Sequence, residues 1–507
     1  MIENLMMGFS VSLTFQNILY CFVGCLLGQV IGVLPGLGPV ATISMLLTLT
    51  YKLDLTPAII MLAGIYYGSC YGGTITSVLF KIPGEASTVV TIIDGYQMAL
   101  KGRAGKALGI AAFGSFFAGT FGTIVLSIIA PVLANLALVF GPPEYATLVV
   151  LGLTLVTYLS SGSVVKSLMM AAVGLAIGTI GMEPTTAQER FTFGSLTLAE
   201  GVEIAVLAMG VFGIAEILSL AESELKRVDR DTAVRSPRRL RELLPDLKDW
   251  ARSAYPIVRG SVLGFFLGIL PGGGAVLASF ASYAIEKKVS HHPEEFGKGA
   301  IEGVAGPETA NNAAVSGCFI PLLTLGIPTN VVMAVMMGAF MIHGVTPGPM
   351  IMQKQPLVVW GLITSMYIGN AILLILNIPL IRFFVKIMEI PFVLLSPLIT
   401  LICLIGAYTI NNNPVEILIM VILGVFGYLL AKFEYNPTPL MLAFILGPIF
   451  ETAIRQSLII SRGNAMIFVA RPIAGSILGA TILVTFAGPI MRFIKHHLGP
   501  RKGLDPV

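Results

Sequence analysis

"GCLLGQVIGVLPGLGPV" runs from Gly24 to Val40, and "GSVLGFFLGILPGGGAV" runs from Gly260 to Val276. Aligned at an offset of 236, the two stretches share nine of seventeen positions: Gly24/Gly260, Leu27/Leu263, Gly28/Gly264, Gly32/Gly268, Leu34/Leu270, Pro35/Pro271, Gly36/Gly272, Gly38/Gly274 and Val40/Val276. Each copy sets Pro-Gly after a long apolar run. Proline removes a backbone donor and glycine relaxes the chain, so the phrase ends a helix. In lipid every backbone polar group needs an internal partner, and a helix breaks only inside protein or beside water. The phrase therefore predicts discontinuous helices, broken or re-entrant, and its recurrence predicts an internal duplication. A plain turn between two spans is the other reading of either copy alone. The upstream glycines, Gly24, Gly28, Gly32 and Gly260, Gly264, Gly268, recur every fourth residue. That spacing lets two membrane helices approach closely.

Composition agrees with a membrane setting. Of 507 residues, 55% are hydrophobic and 11% charged, against about 25% charged in soluble domains. The apolar runs Val202–Leu220, Leu357–Ile378, Phe392–Ile410 and Ile473–Ile490 approach the roughly 20 residues that cross a bilayer core. The expectation is an all-α polytopic membrane protein of about 10–12 spans. A net charge of +4, with basic residues clustered at span ends and in one loop, excludes a nucleic-acid partner. The five cysteines, Cys21, Cys25, Cys70, Cys318 and Cys403, all lie in apolar runs and read as packing residues, with no metal site among them.

One polar stretch, Ala221–Arg252, divides the chain. It carries Lys226, Arg227, Arg230, Arg235, Arg238, Arg239, Arg241, Lys248 and Arg252. The positive-inside rule puts it in the cytoplasm, with the tail that holds Arg492, Lys495, Arg501 and Lys502. The N-terminal "MIENLMMGFS" has no Lys or Arg, lacks the basic start of a signal peptide, and is expected outside. The expected division is residues 1–220 as a first repeat, 221–252 as a cytoplasmic linker, and 253–507 as a second repeat with a cytoplasmic tail. Further echoes join the halves: "KIPGEASTVV" (Lys81–Val90) with "GIPTNVVMAV" (Gly326–Val335), and "GYQMALKG" (Gly95–Gly102) with "GAFMIHG" (Gly338–Gly344). The basic "ALKGRAGK" (Ala99–Lys106) faces an uncharged counterpart around His343–Pro349, which predicts inverted repeats, the plan of many secondary transporters. The second half alone carries the polar insert "EKKVSHHPEEFGKG", Glu286–Gly299.

Half-helix N-termini expose N–H groups at the positive end of the helix dipole and attract anions without Lys or Arg. Two facing breaks would form a cradle from Pro35, Gly36, Gly38 and Gly272, Gly273, Gly274. "YGGTITS" (Tyr71–Ser77) adds Gly72, Gly73, Thr74 and Ser77 for a carboxylate and Thr76 for a cation; helix packing is the plainer reading. "GPETANN" (Gly306–Asn312) sets Glu308, Asn311 and Asn312 within one turn of helix. Buried amides and carboxylates need partners, and ionisable groups inside a membrane mark function. Glu308 can carry a proton or ligate a cation, and Asn311 and Asn312 can hold substrate; a structural network between helices is the alternative. Thr329 and Asn330 of the "IPTN" break join the substrate set, with Ser87 secondary and Glu85 read as a helix-terminal carboxylate. His291, His292, Glu294 and Glu295 read as a solvated loop, and Glu203 or Glu216 as partners for a residue such as Lys166. The sequence has no G-x-x-x-x-G-K-[ST], H-E-x-x-H or G-x-S-x-G phrase, which argues against an ATPase or hydrolase.

The chain resembles the large membrane subunit of the tripartite tricarboxylate transporter family, the TctA type. The resemblance covers nearly its whole length. It is carried by "GVLPGLGPVATISMLLTLTY", "YYGSCYGGTITSVLFKIPGEASTVVTIIDGY" and "KGRAGKALGIAAFGSF", then by "GILPGGGAVLASF", "GKGAIEGVAGPETANNAAVSGCFIPLLTLGIP" and "HGVTPGP". The resemblance implies a permease subunit in a bacterial inner membrane that imports small carboxylates on a Na⁺ or H⁺ gradient and holds no other cofactor. It also implies a small membrane subunit of TctB type and a periplasmic binding protein of TctC type as partners. A gated organic-anion channel is the rival reading, and a membrane-embedded enzyme a third.

Overall fold

The computed structural model describes residues 1–34, 38–50, 52–160, 162–183, 187–225, 240–387 and 392–498. Its main helices are α1 (Ile2–Ser12), α2 (Phe15–Val33), α3 (Pro39–Thr50), α4 (Leu55–Phe80), α5 (Thr91–Leu100), α6 (Ala104–Ala137), α7 (Pro142–Leu159), α8 (Val164–Gly178) and α9 (Ile204–Glu222). The second series is α10 (Leu247–Ile269), α11 (Gly274–Val289), α12 (Glu302–Leu325), α13 (Val331–Ile342), α14 (Pro356–Asn377), α15 (Phe392–Asn411), α16 (Pro414–Lys432), α17 (Thr438–Ile460) and α18 (Pro472–Leu498). Among the described residues, nine helices are long and apolar enough to cross a membrane, and α8, α13 and Pro472–Phe486 of α18 are shorter apolar helices. The protein is an all-α, multi-pass membrane protein. Among the described residues there is one two-residue β pair, Gly181–Met182 with Glu189–Arg190, tied to α17 by the Arg190–Glu451 ion pair at 3.0 Å.

The repeated glycines do the same thing in both halves. A Cβ on Gly24, Gly28 or Gly32 would fall on the carbonyl of Met61, Ile65 or Ser69 of α4. One on Gly260, Gly264 or Gly268 would fall on the carbonyl of Gly306, Ala310 or Ala314 of α12. Only glycine lets these backbones touch. The partners rise in step along the chain, so α2 runs parallel to α4, and α10 parallel to α12. The helix between each pair must therefore turn back. Thus α10–α11 is a helical hairpin with its Pro-Gly phrase at the tip, and in the first half α3 carries the chain back from α2 beyond residues 35–37, which lie outside the described residues.

Both long helices then end alike. Lys81 (φ 57°, ψ 27°) and Gly326 (φ 68°, ψ 29°) adopt the left-handed conformation, and each is followed by Ile-Pro. The Ile-Pro breaks fold back on the hairpin tips. Gly84 sits so close that a Cβ there would meet the Gly32 carbonyl, and the Gly272 N–H donates to the Thr329 carbonyl at 2.8 Å.

The halves are interleaved. Helix α6 packs along α12 and α10, whereas α14 packs on α4 and α2, so each half lends a long helix to the other. Later, α17 packs on α7 and α8, and α18 on α7. The expected linker, 221–252, is partly helical at both ends: Ala215–Leu225 enters it and α10 starts within it at Leu247. Its residues 226–239, and the tail residues Arg501 and Lys502, lie outside the described residues.

Candidate functional site

Glu308 lies fully buried on α12, where α4, α5 and α6 close around it. Its Oε2 accepts from Thr74 Oγ1 at 2.7 Å and from Asn311 Nδ2 at 3.3 Å, and Thr91 Oγ1 donates to its Oε1. Asn312 Nδ2 donates to Ser115 Oγ at 2.8 Å, to the Glu308 carbonyl at 3.0 Å and to Asn311 Oδ1 at 2.6 Å. Among the described residues, no Lys, Arg or His forms an ion pair with Glu308. Its carboxylate is thus met by hydroxyl and amide donors alone. A buried negative charge without a basic partner is expensive, and a proton or a small cation relieves that cost.

The cluster draws on both halves. Thr74, Thr91 and Ser115 come from α4, α5 and α6; Glu308, Asn311 and Asn312 come from α12. Alanine and glycine around "GPETANN" bring the backbones close enough for these short side chains to meet. Gly114 shows this, since a Cβ there would lie 2.9 Å from the Thr309 methyl.

A second cluster surrounds the hairpin tip of the second half. Asn330 caps α13 by accepting from the Met333 N–H at 2.9 Å. Its amide also donates to Tyr66 Oη of α4 at 3.0 Å and to Cys318 Sγ of α12 at 3.2 Å. Thr329 Oγ1 is buried without a hydrogen-bond partner among the described residues. Gly272 and Gly274 take positive φ values of 78° and 56°, which the tight turn into α11 requires. Tyr66 and Thr74 are eight residues apart on α4, or about 12 Å at 1.5 Å per residue, so the two clusters stand one above the other along the same helix.

Of the expected site residues, Thr74, Glu308, Asn311 and Asn312 meet in the first cluster, and Gly272, Gly273, Gly274, Thr329 and Asn330 gather in the second. Gly273 donates its N–H to the Leu270 carbonyl at 3.0 Å, so with Gly272 two tip amides are already engaged within the protein. Gly72 is a packing residue, because its Cβ would meet the Gln29 carbonyl of α2. Gly73 faces the Glu85 N–H and Thr88 of the first break. Thr76 Oγ1 donates to the Gly73 carbonyl at 2.9 Å, and Ser77 Oγ to Thr88 Oγ1 at 2.9 Å; neither touches Glu308. Gly38 borders open space. Pro35 and Gly36 lie outside the described residues. Glu85 accepts from the Ser87 N–H at 2.7 Å, as a helix-terminal carboxylate should.

Three residues went unnoticed in the sequence. Thr91 opens the short helix α5, Ser115 is one of several hydroxyls along α6, and Tyr66 sits among aromatic and aliphatic neighbours. The only signal was a hydroxyl facing a lipid-length run. One other expectation needs correction. Lys166 pairs with neither Glu203 nor Glu216: its Nζ donates to the Phe433 carbonyl at 2.7 Å and lies over the Tyr435 ring at 4.8 Å. His291, His292 and Glu294 are exposed, as expected of a solvated loop, while the end of the same insert is held to the helical body. Buried Asp94 accepts from the N–H groups of Gly297, Gly299 and Ala300 at 2.8, 2.7 and 2.9 Å, which pins the insert to α5.

The pattern that defines the tripartite tricarboxylate transporter TctA family matches residues 18–442, which include both hairpins and both clusters. The chain belongs to this family. It is 53% identical over 478 residues, 94% of each chain, to the "Uncharacterized 52.8 kDa protein in TAR-I ttuC' 3'region" of Agrobacterium vitis. It is also 55% identical over 216 residues, 43% of this chain and 89% of the relative, to the "Uncharacterized protein in TAR-II ttuC' 3'region" of the same organism. No solved structure matches it. As a TctA-family member the chain is a transporter permease subunit, and the family works in tripartite systems with TctB- and TctC-type partners.

Proposed function

We propose that this subunit imports a small carboxylate, delivered by a periplasmic TctC-type binding protein, across the bacterial inner membrane together with Na⁺ or H⁺. The observation that carries the reading is Glu308, a buried carboxylate gripped by Thr74 and Thr91 from one half and Asn311 from the other. In this reading the coupling cation, or proton, sits at Glu308 and Thr76 helps to line its path. Substrate carboxylates take the amides of Asn311 and Asn312, the hydroxyls of Thr74, Ser77 and Thr329, the Asn330 amide and the glycine-rich tips. Neutralising Glu308 removes the repulsion between it and an incoming anion, so cation and anion bind better together than apart. The two halves act as inverted repeats around this centre.

The cavity lined by Asn312, Asn370, Thr123 and Tyr67 holds about 10 Å³, room for about one water. Substrate entry there requires helices to part. The test is uptake into proteoliposomes containing this chain with its small membrane subunit and cognate binding protein. Accumulation against a gradient, dependent on an imposed Na⁺ or H⁺ gradient, is expected; downhill flux with no cation requirement would establish a channel instead. Asn311→Ala and Thr74→Ala should each abolish accumulation while the protein remains folded, and unchanged uptake in both would remove the site assignment.

A further inference from the structure

Away from the Glu308 cluster, a cavity of about 430 Å³ opens between the α5–α6 turn of the first half and the insert of the second. Four cationic side chains line it, Lys101, Arg103, Arg252 and Lys298, against the two carboxylates Glu294 and Glu295. Its volume falls within the range of about 300–1,000 Å³ typical of small-ligand pockets. The walls are held in place from behind. Arg252 bridges Glu295 at 2.6 Å and Glu302 at 2.7 Å, and Arg103 pairs with buried Asp249. Asp94 fixes the Gly297–Ala300 backbone that carries Lys298.

The two lysines are different. Lys101 Nζ donates to the Lys298 carbonyl at 2.5 Å, and among the described residues neither lysine has a carboxylate partner. Two exposed ammonium groups are thus brought to one rim by a backbone that the protein takes trouble to fix. The four cations outnumber the two carboxylates of the lining, and a polyvalent anion held between the two lysines turns their mutual repulsion into attraction. Arg252 adds a guanidinium whose fork is oriented by its carboxylates.

We propose that this pocket is a second anion site, which takes a small polyvalent anion, either a di- or tricarboxylate or inorganic phosphate, from the face that bears Arg252 and the start of α10. By the positive-inside rule that face is cytoplasmic. The bound anion bridges the first half at Lys101 and the second at Lys298, so it clamps the two halves together. The site needs no transport to be seen.

Calorimetry on the purified full-length chain in detergent at low salt tests it, with citrate, inorganic phosphate and acetate as probes. Citrate or phosphate should bind and acetate at equal concentration should not; which of the first two binds identifies the source. Measured in an Asn311→Ala background, which removes carboxylate binding at the central cluster, Lys101→Glu with Lys298→Glu should weaken the remaining binding at least tenfold, and the Lys→Arg pair should retain it. The proposal is overturned if no polyvalent anion binds the wild-type chain, if acetate binds as well as citrate, or if the charge-reversed pair binds as tightly as wild type.

Discussion

Replacing Glu308 separates a structural network from a coupling group. The carboxylate receives three donors: Thr74, Thr91 and Asn311. In Glu308→Ala each donor must find another partner or stay unsatisfied, at about 1–3 kcal/mol each. Thr74 has a fallback, since its hydroxyl already lies 3.3 Å from the Cys70 carbonyl. That leaves the Thr91 hydroxyl and the Asn311 amide stranded, so a loss of about 2–6 kcal/mol follows, before any cost of the cavity. Glu308→Gln keeps the volume and one carbonyl acceptor. With that carbonyl in the Oε2 position it still accepts from Thr74 and Asn311, and the Thr91 hydroxyl turns to accept from the new amide, so the loss is about 0.5–1.5 kcal/mol. The two variants therefore differ in stability, yet both lack the charge. Thermal unfolding in detergent should rank wild type, Gln, Ala in falling order, while gradient-driven uptake drops more than tenfold in both. Wild-type uptake by Glu308→Gln would refute the coupling role, and wild-type stability of Glu308→Ala would refute the network.

Three further outcomes rest on separate parts of the structure. Gly264→Val drives a side chain into the Ala310 backbone, where even a Cβ would lie 2.6 Å from Cα; folded yield in membranes should collapse, whereas Gly38→Ala, which meets no atom within 4 Å, should fold normally. Asp94→Ala strands three backbone N–H groups and the Tyr283 hydroxyl, which lies 2.8 Å from Oδ2, so hydrogen exchange at Gly297–Ala300 should speed up by orders of magnitude. The hydrogen bond from Arg252 holds Glu295 below the usual carboxylate range. Its contribution is complete above that range and is lost as pH falls through it; the pair is partly exposed and worth about 0.2–1 kcal/mol, so the insert should loosen in exchange experiments only below about pH 4, and Glu295→Gln should reproduce that loosening at neutral pH.

The glycine ladders were legible because close helix packing leaves a four-residue signature that needs no tertiary knowledge. "GPETANN" was legible because a carboxylate and two amides amid alanine have no lipid-compatible alternative to mutual bonding. The hairpin was not: a Pro-Gly phrase says where a helix stops and nothing about the direction in which the chain leaves. That direction became clear, for the second phrase, only from Gly260, Gly264 and Gly268 meeting Gly306, Ala310 and Ala314 in the same order. Thr91 and Ser115 stayed hidden because a helical hydroxyl can bond to its own backbone, as Thr76 does. Lys166 was mispaired because its partner is a carbonyl at the end of α16, and backbone acceptors leave no mark in a sequence.

The exchange of α6 and α14 decides which pieces can move as units. A division at the polar stretch 221–252 would tear α6 from α12 and α14 from α4, although these are extensive interfaces. Asn370 of α14 shows the price, since it accepts from Tyr71 Oη at 2.8 Å and donates to the Phe116 carbonyl at 2.7 Å and Thr120 Oγ1 at 2.9 Å. Spatial units cut differently. The α2–α4 hairpin group with α14 forms one, and the α10–α12 group with α6 forms the other. Two polar ties across that division, Thr74 with Glu308 and Tyr66 with Asn330, are bonds that a cation or a carboxylate can replace. The Asn370 bonds to Phe116 and Thr120 cross the same division and no ligand group replaces them. Any relative movement of the two units must therefore pivot about the α6–α14 contact, with the exchangeable bonds at Glu308 and Asn330 as the ones free to part.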